Sequence, residues 1–310
     1  MATQNASKSD PTKWAESASS HSKLDQLHWL GDKVVPNTRM LSAPCAVAYN
    51  ENLYVFYENF SENDSELYYD IFDGSKWWGA TKVPSTKTTD TPSAVVFDGD
   101  IYVFHAITSD NSLWYNVFDG SRWWGDQMVP DSRLSWGPSA VVFDDNIYVF
   151  YQGPHVSKTL LYNVFDGSRW WGDQPVPRTT NISSGPAAVY VPYDDTIYIF
   201  YEGDHSDIWY NVYDGSSWYG DRQIMSADIA WSPSAAVYGN KVFCFHLNRG
   251  MDSKLYYSAF NGKYWEGDTW VAHMGINWNP GCAVYQDKLY VCHQGDDNAL
   301  MYNVLVGGEE

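Results

Sequence analysis

Six ring-bearing side chains recur at one position of a repeating pattern, and each ring combines an apolar face with a hydrogen-bonding edge. In four repeats a planar polar residue follows the ring directly. The rings are Tyr57, His105, Tyr151, Tyr201, His246 and His293, and the polar residues are Glu58, Gln152, Glu202 and Gln294. A sugar stacks its C–H face on an aromatic ring while its hydroxyls need fixed donors and acceptors. The pattern therefore predicts carbohydrate binding.

Tryptophan supplies two further sets of candidate residues. In three repeats a tryptophan stands two residues before a recurrent proline, at Trp136, Trp231 and Trp278. In three repeats a second tryptophan follows a constant one, at Trp78, Trp124 and Trp171, where the other repeats carry Leu30, Tyr219 and Glu266. We include both sets in the predicted ligand-binding surface. The alternative is that these rings and amides satisfy loop backbone and cap the core.

The spacing of the histidines, cysteines and other reactive residues in the sequence does not match known catalytic or metal-binding motifs. The three histidines above fall in different repeats, whereas a zinc site needs ligands that converge. The chain has no HExxH, GxSxG or GxxxxGK[ST] motif and no GxGxxG after a strand. Four separated cysteines lie in apolar runs and are expected to be buried thiols rather than metal ligands or disulfides: Cys45, Cys244, Cys282 and Cys292. We predict no catalytic residues, metal or cofactor, although the number of carboxylates leaves a glycosidase pair open.

A repeat of 46–48 residues sets all of these positions. A proline before a run of small residues and valine recurs six times, at Pro44, Pro92, Pro138, Pro186, Pro233 and Pro280. Asp-Gly or Asn-Gly pairs recur in the same register, beginning at Asp73, Asp119, Asp166, Asp214 and Asn261. Two independent markers with one spacing indicate six equivalent units.

Each unit contains four segments with the length and composition of strands. In the third unit they are PSAVVF (138–143), IYVFYQ (147–152), LLYNVF (160–165) and RWWGDQPV (169–176). The Asp-Gly pair between the third and fourth segments predicts a two-residue hairpin with both central residues at positive φ. Units of this length with four antiparallel strands predict an all-β fold, a single six-bladed β-propeller.

The two ends of the chain complement each other. The sixth unit lacks a fourth strand, and LHWLGDKVVP at residues 27–36 matches that strand of the other units. Pairing the two would close the ring and remove an open sheet edge. The constant tryptophan of this strand is predicted to fill the space between blades, at Trp29, Trp77, Trp123, Trp170, Trp218 and Trp265. We expect residues 1–26 to form a flexible arm and residues 27–310 the propeller.

Composition narrows the set of partners. The 38 acidic and 19 basic residues give a net charge of −19, which repels phosphate backbones and anionic lipid. No apolar run has the length of a membrane helix, and the first residues lack the apolar core of a secretory signal. We expect a soluble protein made in the cytoplasm, with release by a non-classical route left open. The expected partners are glycans or glycoproteins, not nucleic acid or a membrane interior, and a homodimer is left open.

The six-unit organisation, the many tryptophans and segments such as LWYNVFDGSRWWGDQ (113–127) resemble the six-bladed propeller lectins of the fungal fucose-binding type and related propeller lectins. The resemblance spans about residues 27–306 and lies in architecture and composition. It implies a multivalent lectin without catalysis that recognises neutral sugars of the fucose, GlcNAc or Gal type. Fucose-binding members hold their sugar with an Arg and a Glu between blades, and no arginine recurs around this ring. Two alternatives remain: a glycan-processing glycosidase or lyase with a single central pocket, and a protein-docking propeller of a larger assembly.

Overall fold

Six four-stranded antiparallel sheets make up the computed structural model, which describes residues 27–60, 65–107, 111–154, 157–250 and 253–307. Each sheet corresponds to one sequence unit, and consecutive strands pair within it. The predicted fold class, a single six-bladed β-propeller, is confirmed. The arm expected at residues 1–26 lies outside the described residues, so that domain boundary stays a prediction.

The strands follow one another in the same order in every blade, and β1 and β2 belong to the last one. The chain starts with β1 (His28–Trp29) and β2 (Lys33–Arg39). Blades 1 to 3 comprise β3 (Cys45–Tyr49), β4 (Asn52–Glu58), β5 (Glu66–Phe72), β6 (Thr81–Lys87), β7 (Ser93–Phe97), β8 (Asp100–Ile107), β9 (Ser112–Phe118), β10 (Gln127–Arg133), β11 (Ser139–Phe143), β12 (Asn146–Gln152), β13 (Leu160–Phe165) and β14 (Gln174–Pro175). Blades 4 to 6 comprise β15 (Ala187–Val191), β16 (Thr196–Glu202), β17 (Asp207–Tyr213), β18 (Arg222–Asp228), β19 (Ala230–Tyr238), β20 (Lys241–Leu247), β21 (Lys254–Phe260), β22 (Trp265–Gly275), β23 (Gly281–Tyr285), β24 (Lys288–Gln294), a 3₁₀ turn (Asp296–Asn298) and β25 (Ala299–Val306).

The ring closes through the N-terminal strands. One edge of β25 pairs with β24, and its other edge pairs with β1 and β2. Trp29 lies opposite Leu305, and Lys33 lies opposite Tyr302. Closure therefore occurs as the sequence predicts, and the last sheet gains the fourth strand that its own unit lacks.

The second strand of each blade is buried on both faces. In β12 no side chain between Ile147 and Tyr151 exceeds 6% exposure. Neighbouring blades cover the two sides of every sheet, which is why these strands consist of continuous apolar residues instead of alternating with polar ones.

The constant tryptophan of each fourth strand packs against the preceding blade. Trp170 of blade 3 lies 6.1 Å from Phe104 and 5.7 Å from Tyr115 of blade 2, measured between ring centroids. Trp77 of blade 1 reaches Tyr302 of blade 6 at 5.3 Å, so the same contact spans the closure. The predicted wedge between blades is confirmed. Its edge-to-face geometry on the phenylalanine, 88° for Trp170 and Phe104, is the arrangement that aromatic rings favour.

The number of residues with positive φ in the tight turns differs from the prediction. Between first and second strands both central residues take positive φ in five blades, as with 50° at Asp98 and 86° at Gly99, whereas the longer turn of blade 4 has positive φ only at Asp195. Between third and fourth strands only the glycine does, with 91° at Gly74, so the prediction of two positive-φ residues there is wrong. The Asp73 carboxylate closes this turn instead, because its Oδ1 accepts the backbone N–H groups of Ser75 and Lys76 at 2.8 and 2.9 Å.

The fourth strand is interrupted where the sequence predicted a continuous one over residues 169–176. Trp170 makes a single bridge to Phe165, and the ladder resumes only at Gln174. Gly172 lies between them with φ at 89°, a conformation that glycine adopts without steric cost. The fourth strand is therefore divided into a bridge at its tryptophan and a short ladder after the glycine. Gly31 separates β1 from β2 in the same way, with φ at 94°.

The first strands of the six blades lie close to one another around the central channel of the ring. Ser93 Oγ accepts the N–H of Ala140 in the next blade at 2.9 Å, and Ser139 Oγ accepts that of Ala188 at 2.8 Å. A Cβ on Gly137 would lie 2.6 Å from the Thr91 carbonyl oxygen, so this crossover requires glycine. Small residues therefore line the channel, and across the described ranges no helix is long and apolar enough to span a membrane.

Removal of a wedge tryptophan should destabilise the ring far more than removal of its neighbour. We expect Trp123→Ala to lower the free energy of unfolding by about 3 kcal/mol, because it leaves a cavity between blades 1 and 2. Trp124→Ala, in which the lost ring is 52% exposed, is the matched control and should cost about 1 kcal/mol or less. Urea unfolding followed by circular dichroism measures both values, and equal losses would contradict the wedge.

Candidate functional site

The six rings at the ends of the second strands are completely buried. Each has 0% exposure, and this applies to Tyr57, His105, Tyr151, Tyr201, His246 and His293. A side chain with no exposed surface cannot contact a ligand in this conformation. We therefore correct the assignment of these rings from the binding surface to the framework.

A carboxylate faces the polar edge of these rings. The contacts are His105 Nε2 to Asp126 at 3.3 Å, His246 Nε2 to Asp268 at 3.1 Å, His293 Nε2 to Asp32 at 2.9 Å, Tyr57 Oη to Asp70 at 3.4 Å, and a hydrogen bond from the Tyr151 hydroxyl to Asp173. Burial raises the pKa of the tyrosines, so their hydroxyls stay protonated and donate. These buried rings thus pair with carboxylates, of which Asp70 is buried and the others keep some contact with solvent, and this explains why the position keeps a ring with a polar edge.

Hydroxyl groups from the preceding blade complete this junction. Thr86 of blade 1 donates to Asp126 of blade 2 at 2.7 Å, and Ser132 of blade 2 donates to Asp173 of blade 3 at 2.7 Å. Because the two hydroxyl residues are buried, an unpaired hydroxyl would be costly, and the network fixes one blade on the next.

Blade 1 shows that the junction needs a carboxylate rather than a particular position. Its fourth strand carries Ala80 where the other blades carry aspartate, and its third strand carries Asp70 where most of the others carry asparagine. Thr38 donates to Asp70 at 2.7 Å, so the relocated carboxylate makes the same interblade contact. The aspartates of this junction were missed as functional partners of the rings, and the coupled exchange of Ala80 and Asp70 is the signal that could have found them.

The polar residues that follow the rings are framework groups in three of four cases. Glu58, Gln152 and Gln294 have exposures of 7%, 2% and 2%. Gln152 Nε2 donates to the Ile182 carbonyl at 2.9 Å, and Gln294 Nε2 donates to that of Met40 at 2.6 Å. These amides tie the end of a second strand to the crossover into the next blade. Glu202 differs because it is only partly buried.

The second tryptophans, which we call the rim tryptophans, are exposed. Trp78, Trp124 and Trp171 are 64%, 52% and 50% exposed. Their indole N–H groups donate to the turn carboxylates Asp73, Asp119 and Asp166 at 2.8, 3.1 and 3.0 Å. Each indole is therefore held in a fixed orientation while one of its faces meets solvent. The predicted binding surface includes these three side chains, and they are accessible.

A basic side chain accompanies each rim tryptophan. Lys76 Nζ lies 4.2 Å from the centre of the Trp78 ring, within the range of a cation–π contact. Arg122 Nε and Arg169 Nε lie 3.3 and 3.4 Å from the Oδ2 atoms of Asp119 and Asp166, and both side chains are 79% exposed. In blades 2 and 3 the same aspartate thus orients an indole and a cation, whereas in blade 1 the cation lies over the indole itself. In blade 4 Tyr219 takes the place of the indole and donates to Asp214 at 2.9 Å.

The crossover tryptophans, which we call the axial cluster, meet beside the central channel. The ring centroids of Trp136 and Trp231 are 5.9 Å apart, and those of Trp231 and Trp278 are 5.8 Å apart. Trp231 and Trp278 are 42% and 38% exposed. Blade 4, between Trp136 and Trp231, carries Ser184 at this position, with 1% exposure, so no large side chain separates the two indoles.

The electrostatics of the axial cluster centre on Glu202. Burial raises the pKa of its carboxyl, while the nearby Ser206 hydroxyl and the charge of Arg249 act in the opposite direction. Glu202 of blade 4 thus places an ionisable group near a tryptophan of blade 5.

Metal chemistry and reactive thiols have no support in the described part of the chain. Its His, Cys, Asp and Glu residues form no group of three that could hold a metal ion. The four cysteines are free, and burial raises their pKa, to about 12 for Cys282, so they stay as thiols.

Comparisons with known proteins point to the fold. No protein-family model and no curated protein sequence matches the chain. The structure of a fungal lectin from Aleuria aurantia, described as having a six-bladed β-propeller fold and a novel fucose recognition mode, matches with a TM-score of 0.66 at 15% identity, over 88% of this chain and 95% of that one. The BP39L lectin from Burkholderia pseudomallei matches with a TM-score of 0.62 at 15% identity, over 83% and 79%. A protein of unknown function from Dyadobacter fermentans matches with a TM-score of 0.70 at 10% identity, over 92% and 100%.

Glu202 and Asp119 should contribute to the pH dependence of stability with opposite signs. Because burial raises the pKa of Glu202, the folded protein binds its proton more tightly, and this stabilisation is lost as the pH rises from 4.5 through the raised pKa. The hydrogen bonds from Ser121, Trp124 and Arg122 lower the pKa of Asp119, so its stabilisation is present above 3.8 and lost as the pH falls.

Two variants measure these opposite contributions. Glu202→Gln should leave the free energy of unfolding at neutral pH unchanged or raised, and it should flatten the decline above pH 4.5. Asp119→Asn should lower that free energy at neutral pH and flatten the acid limb. Urea unfolding across the acid and neutral range gives both curves, and the same change of slope in both variants would show that these signs are wrong.

Proposed function

We propose that this chain is a carbohydrate-binding lectin that acts without catalysis and binds neutral sugars at several similar sites. The observation that carries the proposal is the repeated rim arrangement, in which a turn aspartate holds an exposed indole in blades 1 to 3. A basic side chain lies beside each indole, against the aspartate in blades 2 and 3 and over the indole itself in blade 1. Exposed tryptophans held rigidly by their own blade have no packing role that would account for their size.

The rim arrangement offers both parts of sugar recognition. The free indole face of Trp124 can stack on the C–H face of a pyranose, and the Arg122 guanidinium beside it can donate to ring hydroxyls. Because Asp119 already fixes the indole and approaches the guanidinium, little side-chain freedom remains to be lost when a sugar binds. Residues 162–174 repeat residues 115–127 without a change, so blade 3 carries the same site.

Several such sites on one rigid ring favour a multivalent mode of binding. Each site is shallow and open, which predicts weak affinity for a single sugar. On a surface dense in glycans, simultaneous engagement raises the overall affinity by roughly 10²–10⁴. The expected partners are therefore glycans and glycoproteins presented in many copies.

The net charge of the chain and its structural similarity to a known lectin both support neutral sugars as ligands. The net charge of −19 disfavours sialylated or sulfated sugars and favours neutral ones. The shared fold with the Aleuria aurantia lectin, for which fucose recognition is described, supports carbohydrate binding and makes fucose-type glycans the first to test beside GlcNAc and Gal types.

Rim variants test the proposed function. On a glycan array the chain should bind neutral glycans, and titration calorimetry should give more than one site per chain. Single changes of Trp124 or Trp171 to Ala should each remove about one site, since the stacking surface is lost, and the triple change that includes Trp78 should reduce binding to a glycan-coated surface by at least about 100-fold.

The matched control is Trp270→Ala, which removes an indole 45% exposed that lies on β22 rather than at a turn. It should bind like the unmodified chain. A single site with release of a cleaved product would replace the lectin by the glycan-processing enzyme. A complete lack of glycan binding would favour the protein-docking alternative.

A further inference from the structure

The mouth of the central channel breaks the repetition of the ring. The six crossovers place Ser42, Asp90, Trp136, Ser184, Trp231 and Trp278 at equivalent positions two residues before the proline. The three indoles contact one another along one arc, although a serine separates two of them in the order of blades. This cluster of three indoles occurs once in the ring, so it is not part of the repeated rim sites. The packing of six equivalent blades does not require it either.

The backbone at Trp231 is held in an unfavourable conformation. Its φ is 71°, in the left-handed region that a bulky side chain rarely adopts. The indole is 42% exposed, so burial of the ring does not offset the strain. A strained backbone at an exposed side chain is typical of a functional site, because the surrounding structure must maintain it.

A buried acceptor lies in the channel lining, next in sequence to one of the indoles. Asn279, next to Trp278, lines the channel and has 8% exposure. Within the described residues its Oδ1 atom has no hydrogen-bond partner. A buried amide oxygen without a partner is costly, so a donor from a bound molecule would stabilise this group.

The channel has the capacity for one small ring. Its cavity volume is about 130 Å³, and it is lined by residues such as Thr91, Gly137, Ser232 and Asn279. A protein cavity of about 150 Å³ accommodates a benzene molecule. Because this channel is smaller and a sugar is larger than benzene, the exocyclic groups of a terminal sugar can enter it while the sugar ring stays outside, at the indoles.

We propose that the axial cluster and Asn279 form a second kind of binding site, one per chain, that takes the terminal residue of a neutral glycan end-on along the axis. This inference rests on the proposed function. The indoles contact the C–H faces of the terminal sugar, and one of its hydroxyl or N–H groups donates to Asn279 Oδ1. The carboxylates of Glu202 and Asp90 at the mouth disfavour acidic sugars.

The geometry favours a sugar over a quaternary ammonium ion. Such a cation has no hydrogen to donate to Asn279 Oδ1. The indole centroids are less than 6 Å apart, and rings in contact leave no space for a cation between them. A sugar residue uses both the aromatic arc and the acceptor.

The test separates the axial site from the rim sites by stoichiometry. Titration calorimetry and indole N–H NMR signals would be measured with L-fucose, D-galactose, N-acetylglucosamine and short glycans that end in them. The triple rim variant should retain one site, and its remaining sugar-induced shifts should belong to Trp136, Trp231 and Trp278. Trp231→Ala should remove this site alone, with Trp231→Phe recovering part of the affinity.

Asn279→Leu should weaken the retained site by about tenfold or more in the triple rim background, because it removes the acceptor at nearly constant volume. Thermal unfolding of each variant confirms that it is folded. Sugar binding that Trp231→Ala and Asn279→Leu leave unchanged would overturn the axial site while the lectin function stands. Lack of binding by the unmodified chain would overturn the proposed function itself, and shifts of the axial indoles with choline but with no sugar would overturn the choice of ligand.

Discussion

Contact between one blade and the next is the interaction on which this structure depends. A tryptophan of each fourth strand packs edge to face on an aromatic ring of the preceding blade. Beside it a carboxylate accepts hydrogen bonds from a ring of its own blade and from a hydroxyl of the preceding one. The first contact buries apolar area, whereas the second is directional, so together they fix both the distance and the rotation between blades. The closing strand allows the same contact to recur between blades 6 and 1.

This framework leaves few side chains free for function. Rings and amides that have the chemistry to bind a sugar are consumed by the interblade junctions, as the burial of Tyr151 and Gln152 shows. Exposed tryptophans remain where the framework makes no demand, chiefly beside the turn aspartates and at the channel mouth, with Trp270 on β22 in addition. At the rim the positions stay similar from blade to blade, but at the mouth they differ strongly.

The sequence was informative where a physical requirement repeats with the chain. The spacing of prolines and Asp-Gly pairs predicted six blades, and the match between residues 27–36 and the other fourth strands predicted the closure. It was less informative about turns, because an Asp-Gly pair fits both a hairpin with two positive-φ residues and a turn closed by the aspartate side chain. The candidate site was predicted in part: the rim and axial tryptophans are accessible, but the strand-end rings are not.

Fold class, number of blades, ring closure and the wedge tryptophans were determined by the sequence alone, since each follows from a periodic pattern of residue types that every blade must satisfy. Only the tertiary structure decided which polar aromatic residues reach solvent. A tyrosine at the end of a strand has the same local sequence signal whether its hydroxyl meets an aspartate or a sugar. The difference lies in the partners that the fold places against it, and these are distant in the chain: for Tyr151 they are Asp173 of its own blade, 22 residues later, and Ser132 of the preceding blade, 19 residues earlier. The meeting of Trp136 with Trp231, two blades apart, has the same origin in the curvature of the ring.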